Sequence, residues 1–234
     1  MSLSNEHLAK LRKSALADSE IEALGWSSLH NGRLQIPYFR PDGKPEQCHD
    51  GTPFIRWRLS DREIEELKRK GTKKPGKYRS PKNEGCRLYH SRLAIQQGGY
   101  SERLNNPRVS LRITEGELKV EAASAYDRVR VTIGLGGVDS WVDHYDGGDD
   151  SKPLVEFEEI PFQGREVRLC FDSDLDKPSV AAALKKLANF LADKGAHVRI
   201  EVLPHDLDGE RLGVDDLIYR HGAEAFHLIT GMAR

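Results

Sequence analysis

The sequence predicts an α/β chain, with a parallel sheet flanked by helices behind a smaller, basic α+β lobe. Three observations carry this. From Arg108 onward, apolar runs of strand length alternate with stretches of helical spacing, the pattern of βαβ units. Two of those runs, 108–114 and 167–171, stop abruptly at carboxylates, Glu115 and Asp172. The front of the chain lacks the alternation and is basic. Residues 1–110 hold 21 Lys and Arg against 13 Asp and Glu, a net of +8, while residues 111–234 hold 15 against 24, a net of −9. The boundary is expected between a lobe of residues 1–107 and a domain of residues 108–234.

In chain order, residues 4–17 read as a helix, because Leu8, Leu11, Ala15 and Leu16 fall near helical spacing and Ser4 can cap it. Ser19-Glu20-Ile21-Glu22 has the form of a capping box, and Gly25 stops the short helix it opens. Residues 33–39 and 54–59 read as strands, separated by a turn-rich segment beginning Arg40-Pro41-Asp42-Gly43-Lys44-Pro45. Ser60-Asp61-Arg62-Glu63 is a second capping box, opening a helix that runs to Lys70 and stops at Gly71. A basic loop follows at 73–82.

In the second half, strand 109–114 leads to helix 118–125. Strand 130–134 leads to a Gly/Asp-rich insertion at 138–151 and an amphipathic piece at 154–160. Strand 167–171 leads to helix 179–194, which carries Val180, Leu184, Leu187 and Leu191 on one face and stops at Gly195. Strand 197–203 precedes helices at 214–220 and 223–229.

Several function classes drop out. No apolar run approaches the roughly 18 residues of a membrane span, and the first residues have no signal-peptide pattern. A cytoplasmic protein with no membrane partner is expected. Cys48, Cys86 and Cys170 contain no C-x-x-C pair, which argues against a disulfide framework or zinc ribbon. Cys170 is expected to be core packing. A basic front half beside an acidic back half suits a polyanion-binding platform next to a metal site.

In a parallel sheet both carboxylate-tipped strands end on one edge, which is where open α/β sheets bind ligands. Asp172 and Asp174, two residues apart, can aim at one spot. Glu115, Asp172 and Asp174 together would repel one another without a cation between them. A hard divalent ion, Mg²⁺ or alternatively Mn²⁺, takes oxygen ligands and bridges to phosphates. Asp215 and Asp216 either serve a second cation or cap the helix that follows. Lys119, one turn after Glu115, could neutralise the cluster, touch a phosphate or form a salt bridge. Asp176 and Lys177 read more simply as loop surface.

Gly71-Thr72-Lys73-Lys74-Pro75-Gly76-Lys77-Tyr78 nearly matches a phosphate loop, but it ends in Tyr and follows a helix. A loop that binds a nucleic-acid backbone is the better account, with Arg56, Arg58, Lys73, Lys74, Lys77 and Arg79 as its contacts. Gly134-Leu135-Gly136-Gly137 reads as a tight turn with close backbone packing, not a dinucleotide fingerprint. His144 with Asp143 and Asp146 is a weak candidate metal cluster.

The set Ile113-Thr114-Glu115-Gly116, Gly134-Leu135-Gly136-Gly137, Phe171-Asp172-Ser173-Asp174 and Gly213-Val214-Asp215-Asp216 resembles a Toprim domain over roughly residues 108–225. Toprim domains occur in bacterial primases, topoisomerases and some nucleases. This chain is similar to the Toprim-like domains of plasmid and phage replication proteins. Upstream, Ile36-Pro37-Tyr38, Arg56-Trp57-Arg58 and Lys77-Tyr78-Arg79-Ser80-Pro81 are similar in order to the segment before Toprim in phage-type primase–helicases.

The resemblance implies a Toprim-like (Rossmann-like) fold and a Mg²⁺-dependent site. In it Glu115 is the general acid/base or a metal ligand, Asp172 and Asp174 are metal ligands, and Asp215 and Asp216 are secondary ones. Two departures stand out. Lys119 occupies a position that is commonly acidic in primases, and Asp176-Lys177-Pro178 replaces the usual small residues. The expected function is primase-like synthesis on single-stranded DNA from nucleotides, with a separate replicative helicase as a partner. A Toprim nuclease and a non-catalytic nucleic-acid-binding accessory are the alternatives, and Lys119 favours the last.

Overall fold

The computed structural model describes residues 2–143, 152–173 and 177–231. The chain opens with helices α1 (Asn5–Lys13) and α2 (Asp18–Leu24). Ser4 caps α1 by accepting the His7 backbone N–H at 3.2 Å. Helix α2 starts earlier than its sequence motif suggests. Glu20, not Glu22, closes the cap by accepting the Ala17 N–H at 2.8 Å, and Gly25 ends the helix at φ 69°.

An antiparallel sheet follows, with spatial order β1 (Ser27–Ser28), β2 (Leu34–Pro37), β3 (Ile55–Arg58), β4 (Tyr78–Arg79). Helix α3 (Asp61–Arg69) lies between β3 and β4 in the chain and is opened by the Ser60–Glu63 capping box. The segment with phosphate-loop spacing therefore runs from a helix into a strand, the reverse of what such a loop requires.

The sequence pattern assigns no element between residues 83 and 107. There the structure forms β5 (Tyr89–His90), α4 (Arg92–Gln96) and α5 (Tyr100–Leu104). These pieces are too short to show periodicity, and long-range partners hold them. Next come β6 (Leu111–Glu115), α6 (Glu117–Tyr126) and β7 (Val131–Leu135). Glu121 of α6 secures the start of α4. Its carboxylate accepts from Tyr89 OH (2.6 Å), Ser91 Oγ (2.7 Å), and the backbone N–H groups of Arg92 (2.7 Å) and Leu93 (3.2 Å). A small hairpin, β8 (Val142–Asp143) and β9 (Lys152–Pro153), leads to a 3₁₀ turn at Val155–Glu158. The described chain finishes with β10 (Glu166–Cys170), α7 (Pro178–Asp193), β11 (His197–Glu201) and α8 (Val214–Ile229). The two C-terminal helices expected from the sequence are the two parts of α8, separated at Gly222, whose φ of 82° and ψ of 169° are not helical.

The main sheet has the order β11-β10-β6-β7-β5, parallel throughout except for β5. Its two faces differ. Leu111, Ile113, Ile133, Val167 and Leu169 join the core built with Leu184, Leu187 and Leu191 of α7. Arg112, Thr114 and Thr132, one residue out of phase, belong to the opposite face. On that second side Cys170, Ala122 and Ala123 pack with Leu217, Ile218 and Phe226 of α8. Leu118 and Val120 of α6 join the core of the front sheet, with Leu34, Ile36 and Phe54. Helix α6 thus packs between the two sheets. A Cβ on Gly134 would fall 2.6 Å from Val120 Cγ2, so glycine is what lets α6 lie this close to β7.

His90 is buried, with Nδ1 3.0 Å from Tyr100 OH. Burial pushes its pKa down to about 4. The unfolded chain therefore binds the extra proton first as pH falls from about 6.5 toward 4. Stability from this residue is full above about 6.5 and is lost through that window. Denaturation at pH 7 and pH 4.5 should show wild type losing about 2–3 kcal/mol more than His90→Gln. Equal losses would mean that His90 does not titrate as a buried neutral ring.

Candidate active site

The parallel register sets the site. Thr114 pairs with Cys170, so β6 and β10 leave the sheet side by side at their carboxyl ends. This delivers Glu115 and Asp172 to one edge, as the strand endings predict. Helix α6 begins directly after Gly116, and Lys119 on its first turn reaches back over the edge. Its Nζ lies 2.6 Å from Asp172 Oδ1. Burial opposes the charge on Lys119, but Asp172, Asp215 and Glu115 outweigh it and raise the ammonium's pKa above its ordinary value.

Helix α8 begins at the same edge. Asp216 caps it by accepting the Gly213 N–H at 3.2 Å, one of the two roles its sequence position allows. Asp215 turns inward. Its Oδ2 accepts from Ser14 Oγ at 2.8 Å, while Oδ1 is buried without a hydrogen-bond partner. Burial raises the Asp215 pKa against the pull of Lys119.

These side chains line a cleft of about 550 Å³ together with Lys10, Lys13, Lys77 and Tyr78. The sequence pattern does not single out Lys10 and Lys13. Their spacing marks a basic face on α1, but nothing local ties that face to residues 115–216. Helix α1 reaches the cleft because it packs near α8, with the Ser14–Asp215 hydrogen bond at the junction. Burial, then Arg58 and Lys77, push the Lys10 pKa down.

The other predicted contacts separate. Arg56 turns inward, with Nη1 2.7 Å from Glu117 Oε1 and its guanidinium over the Tyr78 ring at 5.3 Å. Arg58 is buried and donates to Asp61 (3.1 Å) and the Leu59 carbonyl (3.2 Å). Neither lies on an outer contact face, because each is held by a carboxylate of its own neighbourhood. Lys73, Lys74 and Arg79 are exposed, and of the basic loop Lys77 lines the cleft. Asp174 and Asp176, and His144 and Asp146 of the weak cluster, lie outside the described residues. A cavity of similar volume, about 560 Å³, shares no lining residue with this cleft. Glu84 there is engaged by His49 (3.0 Å) and Arg87 (3.4 Å).

A family model described as "Domain of unknown function (DUF3854)" matches residues 100–225. The chain belongs to the DUF3854 family. The match takes in Glu115, Lys119, Asp172, Asp215 and Asp216 but not α1 or β4, so this DUF3854 chain draws its lysine rim from outside the family domain. No curated protein matches. Several solved structures are similar. A DnaG catalytic core is 17% identical, with 100% of this chain and 74% of that one covered, at TM-score 0.56. A DnaG primase catalytic domain bound to ssDNA is 18% identical, with 100% and 75% covered, at TM-score 0.53. The RNA polymerase domain of Mycobacterium tuberculosis primase DnaG is 14% identical, with 98% and 68% covered, at TM-score 0.52. The DUF3854 chain therefore shares the fold of primase catalytic cores. Among its described residues no helix is long and apolar enough to cross a membrane.

Proposed function

We propose that this chain is a primase-type nucleotidyltransferase acting on single-stranded DNA, with a Toprim-like domain (108–234) behind a basic lobe (1–107). The observation that carries the reading is the cleft, in which carboxylates at a sheet edge face lysines from a distant part of the chain. An acidic floor under a basic rim suits a polyanion with a reacting phosphate. Single strands are the ligand class because one structure of similar fold is a DnaG primase catalytic domain bound to ssDNA. In this reading Lys10, Lys13 and Lys77 hold phosphates. Glu115 takes the proton of the attacking hydroxyl, and Asp172 orients the reacting groups. Asp174 is assigned to the same site from the sequence alone. A replicative helicase partner, a cytoplasmic location and a plasmid or phage replicon belong to the same proposal.

Among the described residues, no group of three His, Cys, Asp or Glu side chains could hold a metal ion. What the cleft offers is one or two carboxylates, the number Mg²⁺ takes when substrate phosphates and waters complete its shell. Glu115 and Asp172 fit that role. Asp172 Oδ1 is buried against Lys119 while the side chain is 33% exposed, so its other oxygen faces the cleft. When bound, Mg²⁺ or Mn²⁺ would acidify the attacking hydroxyl and steady the leaving pyrophosphate.

The test is incubation with a single-stranded template, Mg²⁺ and labelled nucleotides. Template-dependent products support the reading. Shortened DNA without nucleotides would make the protein a nuclease instead. A binding accessory has one observation in its favour, the Lys119–Asp172 ion pair across the cleft floor. Salt-sensitive binding without either product would establish that role.

Charge reversal of Lys10, Lys13 and Lys77 should weaken single-stranded DNA binding and lower the slope of log affinity against log salt by about 0.7 for each phosphate left without its lysine. The same reversal of Lys73 and Lys74, exposed outside the cleft, should do less. Equal effects from both sets, read by fluorescence anisotropy across a salt series, would place binding on the loop rather than the cleft.

A further inference from the structure

Lys119 sits where two carboxylates converge. Its ammonium contacts Asp172, and its side chain is 18% exposed. Asp215, 8% exposed, aims a buried Oδ1 into the same space with no hydrogen-bond partner. Gly213 borders all three groups. A Cβ there would lie 2.6 Å from Lys119 Cε, 2.9 Å from Asp215 Oδ1 and 3.1 Å from Asp172 Oδ1. A bare backbone at 213 is what leaves room for the lysine stem. Two neighbouring carboxylates commonly draw a divalent ion. Here the cation beside them is a compact ammonium, tethered by its own chain and in contact with Asp172.

We propose that Lys119 is a built-in substitute for one divalent cation, so that the cleft binds one ion fewer than its carboxylates alone would take. A single exchangeable ion at most remains, on the Glu115 side, and chelation leaves the Asp172–Asp215 position occupied. The inference rests on the proposed function only in treating this cleft as the reacting site, because ion count is a property of the protein without substrate.

The probe is Mn²⁺ alone, counted per full-length chain by electron paramagnetic resonance and by calorimetry at neutral pH. Wild type should take no more than one tight Mn²⁺. Lys119→Met, which keeps the stem and removes the charge, should take one more, and Lys119→Arg should match wild type. Lys119→Asp should also gain an ion. If that variant fails to fold by circular dichroism, Lys119→Met decides the matter. Two spin-coupled Mn²⁺ in wild type, or the same count in wild type and Lys119→Met, would overturn the proposal. Loss of the primase reading with the extra ion retained would leave it standing, and primer synthesis with equal counts would remove it alone.

Discussion

Under the proposed activity, replacing Asp172 by Asn should lower template-dependent nucleotide incorporation by a factor on the order of 10²–10³. The side chain stands two residues past the carboxyl end of β10, at the sheet edge that Glu115 of β6 also reaches, with one oxygen on Lys119 and the other toward the cleft. An amide keeps the shape and removes the charge. Two effects then have to be separated. Lys119 loses its nearest counter-charge. A fully buried pair broken on one side costs about 3–5 kcal/mol, but Asp172 is one-third exposed and Asp215 remains close, so a cost of about 1–2 kcal/mol is expected. That loss lowers the unfolding midpoint without emptying the native state. The remaining loss is chemical, and it should fall on kcat more than on KM. Activity within a few-fold of wild type, with the fold intact by circular dichroism, would remove Asp172 from the reacting site.

Arg112→Met destabilises the protein by about 3 kcal/mol or more, the largest single stability effect expected outside the apolar core. Arg112 is fully buried in β6, the middle strand of the main sheet. Its Nη1 meets Asp127 Oδ2 at 2.7 Å and its Nε meets Glu201 Oε2 at 3.0 Å, with the Phe226 ring 4.9 Å from the guanidinium carbon. Methionine fills the stem but leaves two buried carboxylates short of a partner. Arg130 and Arg168 still reach them, at 3.0 and 3.1 Å, which keeps the cost toward the low end of the usual range. The urea midpoint should fall sharply with an unchanged slope. Adding Glu201→Gln should recover part of the loss, because it removes a charge that the single variant strands. A shift under about 1 kcal/mol would mean that the flanking arginines alone neutralise the pair.

Arg112 also marks the limit of reading the chain from its residues. The run 108–114 is legible as a buried strand, and the strand forms from Leu111, with 108–110 left outside it. That its single buried arginine lies inside, gripped by residues 127 and 201, has no local signature. The same division runs through the site. Glu115 and Asp172 are legible because a strand's end and a parallel sheet's common edge are local and topological rules. Asp216 is legible as a cap because capping is a matter of three neighbouring residues. Asp215 looks identical in sequence, yet it turns the other way to meet Ser14, 201 positions earlier. Arg56 and Arg58 read as surface cations, but Glu117 and Asp61 claim them. The pieces β5, α4 and α5 escaped because two to five residues carry no period, and Glu121 and β7 hold β5 and α4 from afar.

By itself the sequence determined the alternation of strands and helices, the caps that start them and the carboxylates that end β6 and β10. Those depend on neighbours within a few residues, where backbone geometry and hydrogen bonding act directly. Only the tertiary structure decided which charges face each other. It brought the lysines of α1 to the cleft, drew Arg56 and Arg58 away from solvent and set Lys119 against Asp172. Coulombic pairing acts through space without regard to chain order, so its partners emerge only when packing has brought distant segments within a few ångströms.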